Sequence, residues 1–581
     1  MDRFNARGAG QPSARRATRR LLWLVALWAT TVPGSVGAAA EALHFDWFEY
    51  TGRDPALASP LPLGSYRNPI LAGYYPDPSV TRAGDHYYLV NSSFAHFPGI
   101  PIHESTDLVH WRLVGHALAD PAALHFDGLD ISRGVFAPAI QFHDGTFYIV
   151  NTLVDAGGNF LVTATDPAGP WSAPTWLPEI DGIDPSLFFD VDGKAYIVNN
   201  GPPAYPPRYE GHRAIWIQAF DTASRKLVGP RKVLVDGGTD LSKQPIWIEG
   251  PHLYRIHGWY YLMCAEGGTG PGHSEVVFRA RSPWGPFQPF AGNPILTQRD
   301  LPVDRADPVT NTGHADLVQM KDGSWWAVFL GSRPYDGDRY NTGRETFLLP
   351  VSWRDGWPWI LPHGQAVPYL VAGPHALRAA PQSPGGASAS AIAPATDPLA
   401  GNFTLRDGFD GDALRPEWLQ VYAPSVHWYQ LAGGNLAIQP LRVDLDAKRN
   451  PAFLARRQQH LHFDASTQFS PPAAAGVAAG LAAWQNDRHW YFLGTRREGG
   501  AVQLFLERCA GAARQVVASV SLAEAQPLRL RISGDGGRYS FFYDAGNGWQ
   551  PLFEHDDATI LSTQVAGGFV GTVVGPFARE E

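Results

Sequence analysis

The sequence predicts an all-β chain in which a five-bladed β-propeller is followed by a C-terminal β-sandwich. Three observations carry this reading. A short hairpin signature, a glycine turn followed by aromatic and β-branched residues, occurs five times before residue 330. A low-complexity run then interrupts the pattern, and beyond it period-2 alternation of apolar and polar residues resumes. Composition agrees, because 20 Trp, 21 Tyr and 30 Phe stand against 3 Met, a balance that suits pleated sheets and stacking surfaces better than helical bundles.

Residues 1–40 come first and differ from the rest. Six Arg and one Asp precede an apolar run at residues 21–32, and small residues end in Ala38-Ala39-Ala40. A basic start, a short apolar stretch and an A-x-A-like site describe an export signal, too short to span a bilayer stably. The pair Arg19-Arg20 directly before the apolar run fits a twin-arginine signal. Export to the periplasm or the medium is therefore expected. Removing the signal's net +5 from −9 leaves a mature chain at −14. No other apolar stretch reaches membrane length, so no membrane partner is expected. An acidic chain with dispersed basic residues also lacks the electrostatic footprint of a nucleic-acid binder.

Residues 41–365 form the predicted propeller. The hairpin signatures begin at Gly84, Gly145, Gly193, Gly258 and Gly323, at intervals of 61, 48, 65 and 65 residues. Each follows a second apolar strand with its own opening, at Asp77, Ala137, Asp184, Gly250 and His314. Five copies of strand, tight turn and strand, each with room for two more strands, imply five four-stranded blades around an axis. A duplicated sandwich is the plainer alternative, but five units of this spacing close more naturally as a ring.

Residues 366–403 are the predicted linker and 404–581 the sandwich. From 379 to 398, 17 of 20 residues are Ala, Ser, Pro, Gly or Thr, which cannot bury enough apolar surface to fold. Beyond it Leu528, Leu530 and Ile532 alternate with Arg529 and Arg531, and Tyr539, Phe541 and Tyr543 alternate next. Such runs, separated by glycine turns, read as an antiparallel sandwich. Cys264 and Cys509 lie far apart in sequence and are expected as two independent buried thiols.

The repeat also places the chemistry. In a propeller the innermost strands line the axis, so the five strand openings are neighbours in space. Three of them carry carboxylates, Asp77, Asp184 and Glu249, while the other two carry Phe136 with Ala137, and His314. Any one carboxylate alone reads as surface charge. Three at matched repeat positions are costly, because like charges raise one another's pKa, and sites that keep them use them. Glycoside hydrolysis needs such a set: one carboxylic acid stays protonated for the leaving oxygen, and another stays ionised to activate water or attack.

The segments NPILAGYYPDPSV, GIDPSLFFD, IEGPHLY followed by YYLMCAEGGT, and GHADLV with GSRP resemble the inverting glycoside hydrolase family 43, in its two-domain β-xylosidase and α-L-arabinofuranosidase members. The resemblance runs from about Arg67 to Leu361 and through the sandwich, including RRQQH at Arg456 and GGFVG around Phe569. It implies a concanavalin A-like fold for the sandwich. It further implies that Asp77 is the general base, Glu249 the general acid, and Asp184 the carboxylate that tunes and orients the acid. Arg333 resembles the arginine that holds sugar hydroxyls. His314 resembles an axial histidine, and a core histidine or a substrate contact both fit it. Phe569 matches an aromatic that closes the pocket from the C-terminal domain, with packing in the sandwich or at the domain interface as the alternative.

The chain departs from the family pattern at Phe136, where many relatives have Trp, and at Ile183, where many xylosidases have Phe. Both positions line the implied sugar pocket. The Gly-rich residues 266–272 lack the Lys-Ser/Thr of a phosphate cradle and read as a turn that brings Thr269 near the pocket. His96, His103 and His252 show no spaced ligand pair, so no catalytic zinc is expected. No cofactor is required for the chemistry, and the resemblance leaves room for a structural calcium on the axis. The expected activity is exo-acting, inverting release of terminal xylose from β-1,4-xylooligosaccharides, with α-L-arabinofuranosidase action on arabinoxylan or arabinan fragments as the alternative. A non-catalytic glycan-binding propeller is the reading from another class, and an endo-acting arabinanase fits less well because that shape needs an open groove.

Overall fold

Five antiparallel sheets of four principal strands follow one another in chain order around an axis. The computed structural model describes residues 41–375, 377, 398–511, 513–522 and 527–581. The expected export signal and all but the last residue of the run at 379–398 lie outside them. Blade I comprises Ser79–Ala83, His86–Val90, Gly99–Ser105 and Arg112–Leu118. Blade II comprises Ala139–His143, Thr146–Val154, Gly158–Ala164 and Thr175–Trp176. Blade III runs through Ile183–Phe189, Ala195–Gly201, Ala214–Asp221 and Lys226–Asp236. Blade IV holds Glu249–Ile256, Trp259–Glu266, Ser274–Ala280 and Gln288–Pro289. Blade V holds Thr310–Gln319, Trp325–Ser332, Glu345–Arg354 and Trp357–Trp359.

Each innermost strand packs against that of the next blade, and the fifth returns to the first. Buried polar groups sew this ring together. Asp316 accepts from Ser79 Oγ at 2.7 Å and from Val80 N at 2.9 Å in blade I, and from the Tyr254 hydroxyl at 2.6 Å in blade IV. Ser79 Oγ in turn accepts from Ile140 N in blade II at 3.1 Å, and Ser186 Oγ donates to Pro251 O between blades III and IV at 2.6 Å. A carboxylate with this many donors is fully satisfied where an unpaired one would be destabilising.

The sandwich consists of two eight-stranded sheets, faced by Phe45, Tyr50, Phe463, Leu481, Tyr491, Leu530 and Phe541. One of its central strands is not C-terminal. Leu43–Gly52, expected in the propeller, pairs with Leu436–Ile438, with Thr404–Asp407 and with His462–Phe469. Its alternation of buried Leu43, Phe45, Phe48 and Tyr50 fits any half-buried sheet, so the pattern alone does not say which. The edges of the expected linker are also folded: Leu370–Ala372 pairs with Ser65–Arg67, and buried Leu399 accepts from Ala72 N at 2.7 Å.

The two domains share apolar core. Phe94, Val135 and Ile149 of the propeller lie in one cluster with Leu419, Tyr422, Trp484, Phe492 and Phe577 of the sandwich. The two-residue strand His96–Phe97 of blade I pairs directly with Leu419–Val421. Cys264 and Cys509 are buried and free. Among the described residues no helix is long and apolar enough to cross a membrane.

Candidate active site

The innermost strands are bent where they open onto one end of the axis. Asp77, Asp184 and His314 have φ of 51°, 52° and 53°, and Gly250, next to Glu249, has φ 55°. Strand pairing slips at the last three places, between Ile183 and Ser186, between Glu249 and His252, and between Gly313 and Asp316. A left-handed residue in an irregular strand opening re-aims its side chain, so the repeat that builds the blades also turns polar groups toward the axis. Gly250 is required there, because a Cβ on it would lie 2.8 Å from His314 Nε2.

Asp77, Asp184, Glu249 and His314 line one cavity of about 470 Å³. Asp184 Oδ2 accepts from Gly250 N at 3.2 Å and lies 3.7 Å from His314 Nε2. Asp77 accepts from Arg344 Nη1 at 2.8 Å and from Ser92 Oγ at 2.6 Å. Burial pushes the Asp77 carboxyl up, but Arg344, His314 and Ser92 together outweigh it and hold the group below the usual carboxylate range. Glu249 goes the other way. Burial first, then the neighbouring Asp184 carboxylate, raise its carboxyl above that range. Burial favours the neutral form of His314, yet the bond to Asp184 and the negative charges of Asp77 and Asp184 push it up to about 9, which keeps it a cation. One pocket thus holds an ionised carboxylate, a protonated one and an imidazolium, the pairing of acid and base that glycosidic cleavage uses.

The expected wall residues are also in place. Phe136, Ile183, Thr269 and Phe569 line the cavity. Phe569 enters from the sandwich on the loop after the helix Thr563–Ala566, where its N–H donates to Ser132 Oγ at 2.8 Å. Gly568 has φ 79°, and any Cβ on it would collide with Ser132 Oγ, so the glycine lets this loop reach the propeller. The Phe569 ring stacks on Phe94 with centroids 5.8 Å apart and meets Phe136 edge-on at 6.1 Å. It is therefore both a pocket wall and part of the domain interface.

Arg333 is elsewhere, which corrects the expectation for that residue. It is 1% exposed. Its Nε and Nη2 donate to the Glu345 carboxylate at 2.6 and 2.9 Å, its Nη1 to Asp54 at 2.5 Å, and its Nη2 also to Gln459 O at 2.9 Å. Four of its five donors are taken by two carboxylates and a carbonyl at the junction of propeller and sandwich, and it does not line the cavity of the three carboxylates. It borders a second cavity of about 670 Å³ that contains none of the three carboxylates. Of the arginines that line the active-site pocket, the one bonded to Asp77 is Arg344, directly before the third strand of blade V. It lies 5.6 Å from the Phe569 ring centroid and 5.8 Å from that of Phe94.

Sequence reasoning also missed Arg213 and Trp247, which line the pocket from blade III and from the loop before Glu249. The signal for Trp247 was its place two residues before the candidate acid. Among the described residues no group of three or more His, Cys, Asp or Glu side chains is arranged to hold a metal ion.

Residues 66–358 match Glycosyl hydrolases family 43, and residues 406–581 match the Beta xylosidase C-terminal Concanavalin A-like domain. A xylosidase/arabinosidase of Butyrivibrio fibrisolvens is 37% identical over 519 residues, covering 88% of this chain and 95% of that one. A non-reducing end α-L-arabinofuranosidase of Bacteroides ovatus is 35% identical over 528 residues, covering 88% and 91%. The crystal structure of a GH43_12 protein retrieved from a capybara gut metagenome is similar with a TM-score of 0.85 and 38% identity, over 93% of this chain and 100% of that one. Likeness along nearly the full length of these proteins, in the same two-domain order, supports one conclusion: this chain belongs to glycosyl hydrolases family 43 and is a glycoside hydrolase.

Proposed function

We propose that the protein is an exo-acting, inverting glycosidase that releases terminal xylose from β-1,4-xylooligosaccharides. The observation that carries the reading is the opposite protonation bias of Asp77 and Glu249 within one pocket that Phe569 helps to wall. Glu249 gives its proton to the glycosidic oxygen as the bond from that oxygen to the anomeric carbon breaks. Asp77 takes a proton from a water whose oxygen forms the new bond to the same carbon from the opposite face. The products are xylose of inverted configuration and an oligosaccharide shorter by one unit, and Asp77 and Glu249 return to their starting states by exchanging protons with solvent.

Asp184 and His314 set the electrostatics of this exchange. The negative charge of Asp184 keeps Glu249 protonated before the reaction, and its acceptance of the Gly250 N–H fixes the backbone beside the acid. The name of the Butyrivibrio relative, a xylosidase/arabinosidase, supports xylose and arabinose alike as the terminal sugar. The second reading, removal of α-L-arabinofuranose from arabinoxylan or arabinan fragments, is favoured by the Bacteroides relative's name and by Phe136 and Ile183 at the wall. The basic and apolar residues 1–40 support export, so that the substrate is met in the periplasm or the medium.

Hydrolysis of nitrophenyl β-D-xyloside against nitrophenyl α-L-arabinofuranoside decides the terminal sugar, and a faster arabinofuranoside would select the second reading. Proton NMR of nitrophenyl β-D-xyloside hydrolysis should show α-xylose before mutarotation. First-formed β-xylose, or transfer of xylose to added methanol, would rule out the inverting mechanism.

A further inference from the structure

Trp247 presents an aromatic ring to solvent beside the candidate acid. It lies two residues before Glu249 and lines the same cavity. It is 41% exposed, as is the adjacent Ile246. Its backbone is left-handed, with φ 51°, a conformation that is costly for a bulky residue. An exposed tryptophan gains little from burial to offset that strain.

The surroundings nevertheless hold it in place. Trp247 N donates to Gly211 O at 2.9 Å, and Ile246 O accepts from Gly267 N at 2.9 Å. The Arg213 guanidinium carbon lies 5.2 Å from the indole centroid. Arg213 is itself fixed by two bonds to Asn200 Oδ1, at 3.1 and 2.7 Å, while Asn200 Nδ2 donates to Ile248 O at 2.6 Å. Among the described residues Arg213 makes no salt bridge, and its Nη1 makes no hydrogen bond. The result is a fixed flat apolar surface with spare hydrogen-bond donors beside it, strained and partly solvent-exposed.

The reaction says what meets that surface. Asp77 and Arg344 lie with the aromatic cluster of Phe94 and Phe569, whereas Trp247 sits next to Glu249, on the side where the glycosidic oxygen is protonated. The sugar beyond that oxygen must leave past the exposed side chains flanking the acid. A pyranose ring carries C–H groups on a broad face and hydroxyls at its edge, which complements an indole with a guanidinium beside it. A furanose ring, smaller and puckered, offers a less flat C–H face to the indole. We infer that Trp247 and Arg213 form the subsite for the first sugar beyond the cleaved bond and select a pyranose there, so that the chain being trimmed is of xylan type whichever terminal sugar is removed. The inference rests on the proposed glycosidase reading, and arabinan fragments become the poorer substrates.

The experiment uses the full chain and compares Trp247→Ala, Trp247→Phe and Trp247→Gly with the unaltered protein. The substrates are xylobiose, arabinofuranosyl-xylobiose and α-1,5-arabinobiose, with free xylose and arabinose as competitive probes of the terminal-sugar site. Trp247→Ala should raise KM for the better of the two xylose-containing substrates by about tenfold. It should leave the inhibition constant of the matching monosaccharide within about twofold, and Trp247→Phe should recover most of the loss. Trp247→Gly should show the same kinetic loss while melting no lower than Trp247→Ala, because glycine relieves the left-handed strain. An unchanged KM in Trp247→Ala would overturn the inference alone, as would a preference of the unaltered protein for α-1,5-arabinobiose. Absence of hydrolysis of every glycoside by the unaltered protein would overturn the glycosidase reading with it.

Discussion

Replacing Arg344 by Ala removes the cation that keeps the candidate base ionised. The pair is buried, with side chains 6% and 7% exposed, and its shorter bond is 2.8 Å, so solvent screens it little. What remains around Asp77 is the burial that raises its pKa, opposed only by His314, by Ser92 and by a weaker contribution from His273. An arginine contact of this kind lowers a carboxylate by about 1 to 3 pH units, and each unit corresponds to about 1.4 kcal/mol. Asp77 serves as base only when ionised, so in the unaltered enzyme kcat/KM is lost on the acid side as pH falls through a depressed pKa. In Arg344→Ala that acid limb should move up by about 1 to 3 pH units. The same linkage acts on stability. The Asp77 contribution is present above its unfolded value, about pH 4, and is lost as pH falls through the lower folded value. The variant should therefore also lose the part of its acid resistance that this pair supplies. The assay is kcat/KM for an aryl glycoside across pH 3 to 9, about one point per half unit, with melting temperatures at each pH. Arg344→Lys, which keeps the charge, should return the limb most of the way. An acid limb that stays in place in an active Arg344→Ala enzyme would refute the reasoning.

Three further outcomes are expected. Asp77→Ala should impair every substrate, whereas Glu249→Ala should lose about 10² to 10⁴ on xylobiose and far less on an aryl glycoside whose leaving group departs unprotonated; equal losses on both substrates would contradict the assignment. The alkaline limb of kcat/KM should lie above the ordinary carboxylate range, because Glu249 must keep its proton and its pKa is raised, and Asp184→Asn should move that limb down by removing a neighbouring negative charge. Phe569→Ala should lower kcat/KM on xylobiose by about tenfold or more, while the half-buried ring costs less in thermal stability than the roughly 3 to 5 kcal/mol of a core phenylalanine; full activity would remove Phe569 from the pocket wall.

The features written locally in the chain were legible, and those that depend on where a loop turns back were not. The five hairpins announce themselves by a glycine turn and a period of two, and because the repeat places matched residues at one end of the axis, Asp77, Asp184 and Glu249 followed from it. Phe136, Ile183 and Phe569 followed from family likeness at those positions, and Thr269 from the glycine-rich turn that carries it. Arg333 and Arg344 belong to one irregular segment between two strands of blade V, and no periodicity tells which of two arginines in such a segment faces inward. The difference lies in partners distant in sequence, with Asp54 and Gln459 holding Arg333 and Asp77 holding Arg344. Trp247 was hidden for another reason, since a tryptophan among apolar residues before a strand reads as core until its exposure is seen. The strand Leu43–Gly52 alternates as any strand does, and alternation names a face, never a partner.

That strand gives the chain an order of assembly. It occupies an interior place in a sandwich sheet, flanked by Leu436–Ile438 and His462–Phe469, yet a ribosome makes it first and its neighbours only after the entire propeller has emerged. Until then Phe45, Phe48 and Tyr50 have no sheet to enter, and their exposed edge is a ready template for another chain. The same geometry governs truncation. A fragment ending before residue 379 keeps an orphaned strand, and one beginning at residue 398 lacks the middle of a sheet, so neither half is a self-sufficient unit. A protease nick between them should instead leave two pieces clasped together, with the N-terminal segment acting as a splint across the cut.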